Sequence, residues 1–262
     1  MRVPYLLSAI MLGLFWGTPA AADSYELEYR VQWGNSFLGR TIANWTFTDD
    51  SYELSGTAKS EGALSLFYQF DGQNQLQGQI KDGAYLPTAF ASQSSYNDDA
   101  YDVMVSWQEA NDTPLYEVTP APDLEEVHPL DEASLTDVID PFSAMLQALE
   151  SLKATGSCDG TYRLFDGRRR SDFTLVDLGT ATIEADRPWS YAGDVVICGA
   201  ANELLGGHRR DSDYDPEEAP DYERVQISVA EVATGRWMPV RIEVSNFFGN
   251  VIVRLNVRDS KI

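Results

Sequence analysis

Asp211, Asp213 and Asp215 stand at alternate positions, a spacing that suits oxygen ligation of Ca²⁺. Counted from Asp211, however, the sixth position is Pro216, where the calcium loop of a helix–loop–helix site needs Gly. The twelfth is Tyr222, where it needs Glu. That site is excluded, and the segment is read as a solvated acidic loop. The two histidines, His128 and His208, and the two cysteines, Cys158 and Cys198, lack the paired spacing of a zinc site. Each histidine is therefore expected to be a solvated loop residue. No G-x-S-x-G turn is present for a serine nucleophile. Carboxylates are so abundant that no single pair marks acid–base chemistry of the glycosidase kind. The triplet Arg168-Arg169-Arg170 suits an anionic head group, but Asp166 and Asp172 beside it make local ion pairing the expected use. Asn44-Trp45-Thr46 and Asn111-Asp112-Thr113 match the glycosylation tripeptide, a pattern common by chance. These residues yield no catalytic centre, no metal and no cofactor.

The 262-residue chain carries 19 Lys+Arg against 41 Asp+Glu, a formal net charge of −22. A surface of that sign repels phosphate, so nucleic acid is not an expected partner, nor is anionic lipid held by charge alone. Hydrophobic content of 44% suffices for a core, and 13 Tyr with 6 Trp favour strands over a helical bundle.

Residues 1–22 read as an export signal. Arg2 is followed by the apolar run Leu6–Trp16 and the small residues Ala20-Ala21-Ala22. No twin Arg and no Cys at the cleavage point are present, so the expected route is general export to the periplasm without a lipid anchor. Residues 23–262 are then one β-rich domain, soluble after signal removal, with no run of membrane-spanning length. In an exported chain the even cysteine count implies a disulfide between Cys158 and Cys198.

The elements follow from period-two alternation. Tyr25, Leu27, Tyr29, Val31 and Trp33 share one face, as do Ala43, Trp45 and Phe47, then Tyr52, Leu54 and Gly56. Strands are also expected at 67–76, 85–95, 101–107, 162–165, 171–178 and 192–198, with three more over 225–229, 238–244 and 251–257. Pro114–Pro129 and Gly206–Asp221 read as loops. One clear helix is expected from Pro141 to Leu152. Asp140 is its N-cap, Gly156 its stop, and Phe142, Met145, Leu146, Leu149 and Leu152 form one apolar stripe. Ser134 and Asp137 suggest a short preceding turn. Roughly a dozen hairpin-linked strands with a single helix imply an antiparallel, all-β fold. The expected shape is a strongly curved sheet or partly open barrel covering the amphipathic helix. A membrane β-barrel, the competing architecture, is disfavoured by that helix.

Several stretches together resemble an exported proteobacterial family of unknown function numbered 3108. They are Tyr25-Glu26-Leu27 through Gly39-Arg40, Asp140-Pro141-Phe142-Ser143-Ala144-Met145-Leu146, Cys158-Asp159-Gly160 through Arg170, and Cys198 with Arg236-Trp237-Met238-Pro239-Val240-Arg241-Ile242. The resemblance implies no catalytic residues. By fold analogy, its curved sheet is similar to the half-barrel of periplasmic lipoprotein carriers.

The function expected from shape and address is non-enzymatic. A concave apolar site would bind a lipid, an acyl chain or a lipoprotein, with Tyr29, Trp33, Trp45, Phe142, Met145 and Leu149 near it. The alternative is a scaffold with a filled core that works through its outer surface. A carboxylate-based hydrolase stands third.

Overall fold

The computed structural model describes residues 22–97, 99–108, 112–247 and 249–262. The segment read as an export signal lies outside them, apart from Ala22. The first half of the chain is a meander of seven strands. These are β1 (Asp23–Trp33), β2 (Ser36–Phe47), β3 (Ser51–Ser60), β4 (Phe70–Lys81), β5 (Ala84–Tyr96), β6 (Asp99–Ser106) and β7 (Leu115–Thr119). The helix α1 (Pro141–Thr155) follows, and a second meander completes the chain. It comprises β8 (Gly160–Phe165), β9 (Arg170–Ile183), β10 (Gly193–Gly206), β11 (Val225–Ala233), β12 (Arg236–Asn246) and β13 (Gly249–Leu255). All thirteen strands pair antiparallel in one sheet, in the order β7-β6-β5-β4-β3-β2-β1-β13-β12-β11-β10-β9-β8. Every neighbour in that order is consecutive in sequence except β1 and β13. They join the two meanders through a register that sets Tyr29 opposite Leu255. The chain thus runs outward to one edge, crosses by α1 to the other edge, and returns to its starting strand.

The sheet is not closed by a ladder between β7 and β8. The connection before α1 bridges the seam. Ile139 N donates to Arg163 O (2.9 Å) and Phe165 N to Ile139 O (3.0 Å). Trp107 Nε1 donates to Val138 O at 2.9 Å. Rings of Tyr116 and Phe165 meet across the two edges, centroids 5.1 Å apart. Arg168 donates to Thr119 O and Pro120 O, and the buried Arg170 pairs with Asp172. The arginine triplet is therefore absorbed in closing this seam and in pairing with Asp166 and Asp172.

On β4, Gln73, Gln75, Gln77 and Gln79 are exposed while Leu76 between them is buried. That strand is polar outside and apolar inside, the reverse of a lipid-facing barrel strand. Among the described residues no helix is long and apolar enough to cross a membrane.

Several local expectations are corrected. Pro114–Pro129 holds a strand, β7, because Leu115–Thr119 finds β6 as a partner despite the surrounding prolines. The turn before α1 spans Glu132–Leu135 and is capped by Asp131. Asp137 instead takes the left-handed conformation, φ +57°. Strands β9 and β10 each run several residues beyond their expected ends, since each lies against a long neighbour.

Candidate functional site

The helix is held across the concave face by its first turn. Asp140 accepts from Phe142 N (2.8 Å) and Ser143 N (3.0 Å), and Pro141 needs no donor there. Gly156 ends the helix in the left-handed region (φ +77°), where a Cβ would be strained. Ser143 Oγ donates to the Asp140 carboxylate and so accepts from Tyr52 Oη at 2.7 Å. Tyr52 reaches this position because Gly78 opposite it has no side chain; a Cβ there would lie 2.1 Å from the ring. Burial pushes the Asp140 carboxyl above its ordinary value, against the lowering effect of the hydrogen bonds from Ser143 and Phe142. A second tie runs from Tyr85 N to Gln147 Oε1 (3.0 Å).

Fixed in this way, α1 divides the concavity into two adjoining apolar cavities. One, of about 420 Å³, lies between the helix and the second meander, lined by Ala148, Leu152, the two cysteines, Leu175 and Val229. The other, of about 390 Å³, lies toward β1, β2 and β12, lined by Leu27, Tyr29, Trp45, Phe142 and Trp237. Met145, Leu149, Pro239 and Ile242 border both. Tyr29 donates its hydroxyl to Pro239 O at 3.0 Å, which satisfies the one polar atom it brings to this wall. Burial raises the Tyr25 and Tyr29 phenols above their ordinary value. The second cavity reaches the surface among Asp23, Glu150, Lys153 and Arg236. Arg236 pairs with Asp23 and stacks over Tyr25 at 5.3 Å, while Lys153 lies 3.7 Å from Glu150. Asp166 and Arg169, paired at 3.0 Å, edge the first cavity, and the four rim charges of the second sum to zero; the remaining walls are chiefly apolar, so the chemistry on offer is sequestration of an apolar group with a polar end left at the rim.

Five of the six residues selected from sequence meet here: Tyr29, Trp45, Phe142, Met145 and Leu149. Trp33 does not. It follows the same face of β1, but four residues from Tyr29 amount to about 13 Å along a strand, past the end of the cavity, and its side chain is 45% exposed. The site is displaced toward the start of β1, so Tyr25 belongs to it. Trp237, Met238 and Pro239 on β12 also line it and were missed. Their signal was the alternation of β12, but nothing local says that β12 and β1 share a wall. Cys158 and Cys198 form the expected disulfide, Cα atoms 6.0 Å apart.

A larger depression of about 690 Å³ lies on the outer face of β2–β7, lined by side chains such as Ser55, Gln75 and Gln77. Its walls mix Met104, Leu115, Ala89 and Ala91 with Glu53, Ser55, Gln75, Gln77 and Glu117, and so offer an apolar ligand less than the interior does. The two histidines are not separate solvated residues. Their rings stack at 4.4 Å, because 126–128 and 207–210 pair as a short ladder. Burial and the neighbouring His128 hold His208 below its ordinary value. Asp211 in the acidic loop is engaged by Arg209. Among the described residues no group of three or more His, Cys, Asp or Glu is placed to hold a metal.

A family model described as "Protein of unknown function (DUF3108)" matches residues 24–256. No curated protein matches the chain. A crystal structure of a beta-barrel-like protein of domain of unknown function DUF1849 from Brucella abortus superposes with a TM-score of 0.52 at 10% identity. It covers 88% of this chain and 95% of its own. At that identity the likeness is one of fold.

Proposed function

The chain belongs to the DUF3108 family of proteins of unknown function, and from that premise we propose that it is a non-enzymatic periplasmic protein of the cell envelope. Its role would be to hold an apolar ligand, a lipid, acyl chain or lipoprotein acyl group, beneath α1. The observation that carries this reading is the pair of adjoining apolar cavities, each within the size range of small-molecule sites, that share Met145 and Leu149. A scaffold with a filled core would have no use for such space, since unfilled apolar volume costs stability. The net-neutral rim of Asp23, Glu150, Lys153 and Arg236 suits the polar end of an amphiphile.

Native mass spectrometry of protein purified from its own periplasm tests the reading. The expected result is a discrete adduct that lipid extraction identifies. Met145→Trp, which fills the junction of the cavities, should remove the adduct without unfolding the protein. A bare mass, together with no displacement of a fluorescent fatty-acid probe, would overturn it.

A further inference from the structure

One end of the sheet gathers large apolar side chains at its turns. Leu66 and Phe67, in the connection between β3 and β4, are 78% and 85% exposed. Tyr68 follows, and its ring meets Tyr96 at the β5–β6 turn (5.8 Å), which in turn meets Phe70 (4.9 Å) and Tyr101 (5.7 Å). The same end holds Trp33, at the last position of β1, and the 96% exposed Phe247 in the β12–β13 turn. The strand order brings these turns side by side along the β6–β12 sector. Such exposure opposes the ordinary gain from burying apolar surface and marks a contact surface.

We propose that this end is a membrane-docking surface that seats its aromatic and leucine side chains in the interface of a zwitterionic bilayer. Three observations select a bilayer over a protein partner or a second copy. The side chains come from separate turns, and a bilayer interface requires no shape complementarity. They are chiefly Trp, Tyr and Phe, whose rings favour the interfacial layer. The charges flanking the 61–69 connection are matched as Arg40–Glu61 (2.7 Å) and Lys59–Asp71 (2.8 Å), so that connection offers no net charge to a charged partner. The acidic 206–224 loop, between β10 and β11 at the same end, would repel an anionic surface, which selects zwitterionic head groups. The cavity rim of Asp23 and Arg236 lies at the opposite end of β1, about 30 Å away for an eleven-residue strand. Docking is therefore independent of the cavity reading, and it would turn the cavity mouth away from the bilayer.

Flotation with phosphatidylcholine vesicles tests the proposal. The protein should float with the vesicles, keep doing so at high salt, and float less when phosphatidylglycerol is mixed in. The double variant Leu66→Ser, Phe67→Ser should partition roughly tenfold less or weaker still, since two exposed apolar side chains leave the interface. Its melting temperature should be unchanged, because neither side chain is in the core. Failure of the parent protein to float, equal flotation of the variant, or self-association of the parent that the variant abolishes would each overturn the proposal.

Discussion

The two sides of α1 are stabilised differently. Toward the first meander the helix presents Leu146 to a core built from large side chains: Trp45, Tyr52, Leu76, Phe90 and Trp107 are all buried there. Toward the second meander it presents Ala148 and Leu152 to Leu175, Val196, Ala200 and Val229, and no aromatic residue is fully buried among them. That second cluster contains the disulfide. A small apolar cluster buries little area, so a covalent cross-link supplies stability that packing does not. It also leaves the larger of the two interior cavities beside it. One helix is thus packed on one flank and stapled on the other, with a cavity beside each flank and Met145 and Leu149 between them.

The largest expected effect tests the staple. Replacing both cysteines by Ala should cost about 4 kcal/mol, the loop-closure value for the 40-residue separation. For a domain of this size that is roughly 8–16 °C in Tm. A loss below about 1 kcal/mol by chemical denaturation would show that the second flank packs well enough alone. Next, Leu146→Ala, on the packed flank, should cost about 2–5 kcal/mol, whereas Leu149→Ala, which borders both cavities, should cost less than about 2. Leu149→Ala should also weaken a fluorescent fatty-acid probe more than Leu146→Ala does. Equal costs and equal probe binding would erase the difference between the flanks.

Smaller effects sharpen the comparison at the helix start and along the aromatic wall. Asp140→Ala should cost about 1–2 kcal/mol through the lost cap. Asp140→Asn should cost only a few tenths, since it keeps an acceptor and buries no charge. Because the folded Asp140 carboxyl lies above its unfolded value of 3.8, its contribution is full below that pH and is lost as pH rises through the folded value. Asp140→Asn should flatten that part of the stability profile. Tyr25, Tyr29 and Tyr52 also have raised values, chiefly through burial. Their contribution is intact below pH 10 and is lost as pH rises above it. Absorbance at 295 nm should show these phenols titrating only with alkaline unfolding. Early titration of all tyrosines would mean that the first flank is wetter than its packing implies.

Much of this was readable from residue patterns. The alternation Tyr25-Leu27-Tyr29 places an apolar face on β1, and Asp140-Pro141 with Gly156 brackets α1 to within three residues of its observed end. Trp33 lies apart from the other five because alternation identifies a face but not a position along it; the end of a strand shares its face with the middle. Strand β7 was missed because prolines at 114, 120 and 122 dominate its local signal, and its pairing with β6 depends on a register no local pattern reveals.

Local chemistry, then, determined most of the strands with their apolar faces, the helix with its cap and stripe, and the two cysteines available to pair. Each follows from side-chain size, charge or backbone preference over a few residues. Tertiary structure decided which walls meet. It joined β1 to β13 across more than two hundred residues, set Pro239 against Tyr29, and brought His128 onto His208. It also left Leu66 and Phe67 outside the core while Leu76 lies within it. Those outcomes depend on how the curved sheet closes around one helix. Closure is set by the sum of all registers at once, and no single segment encodes it.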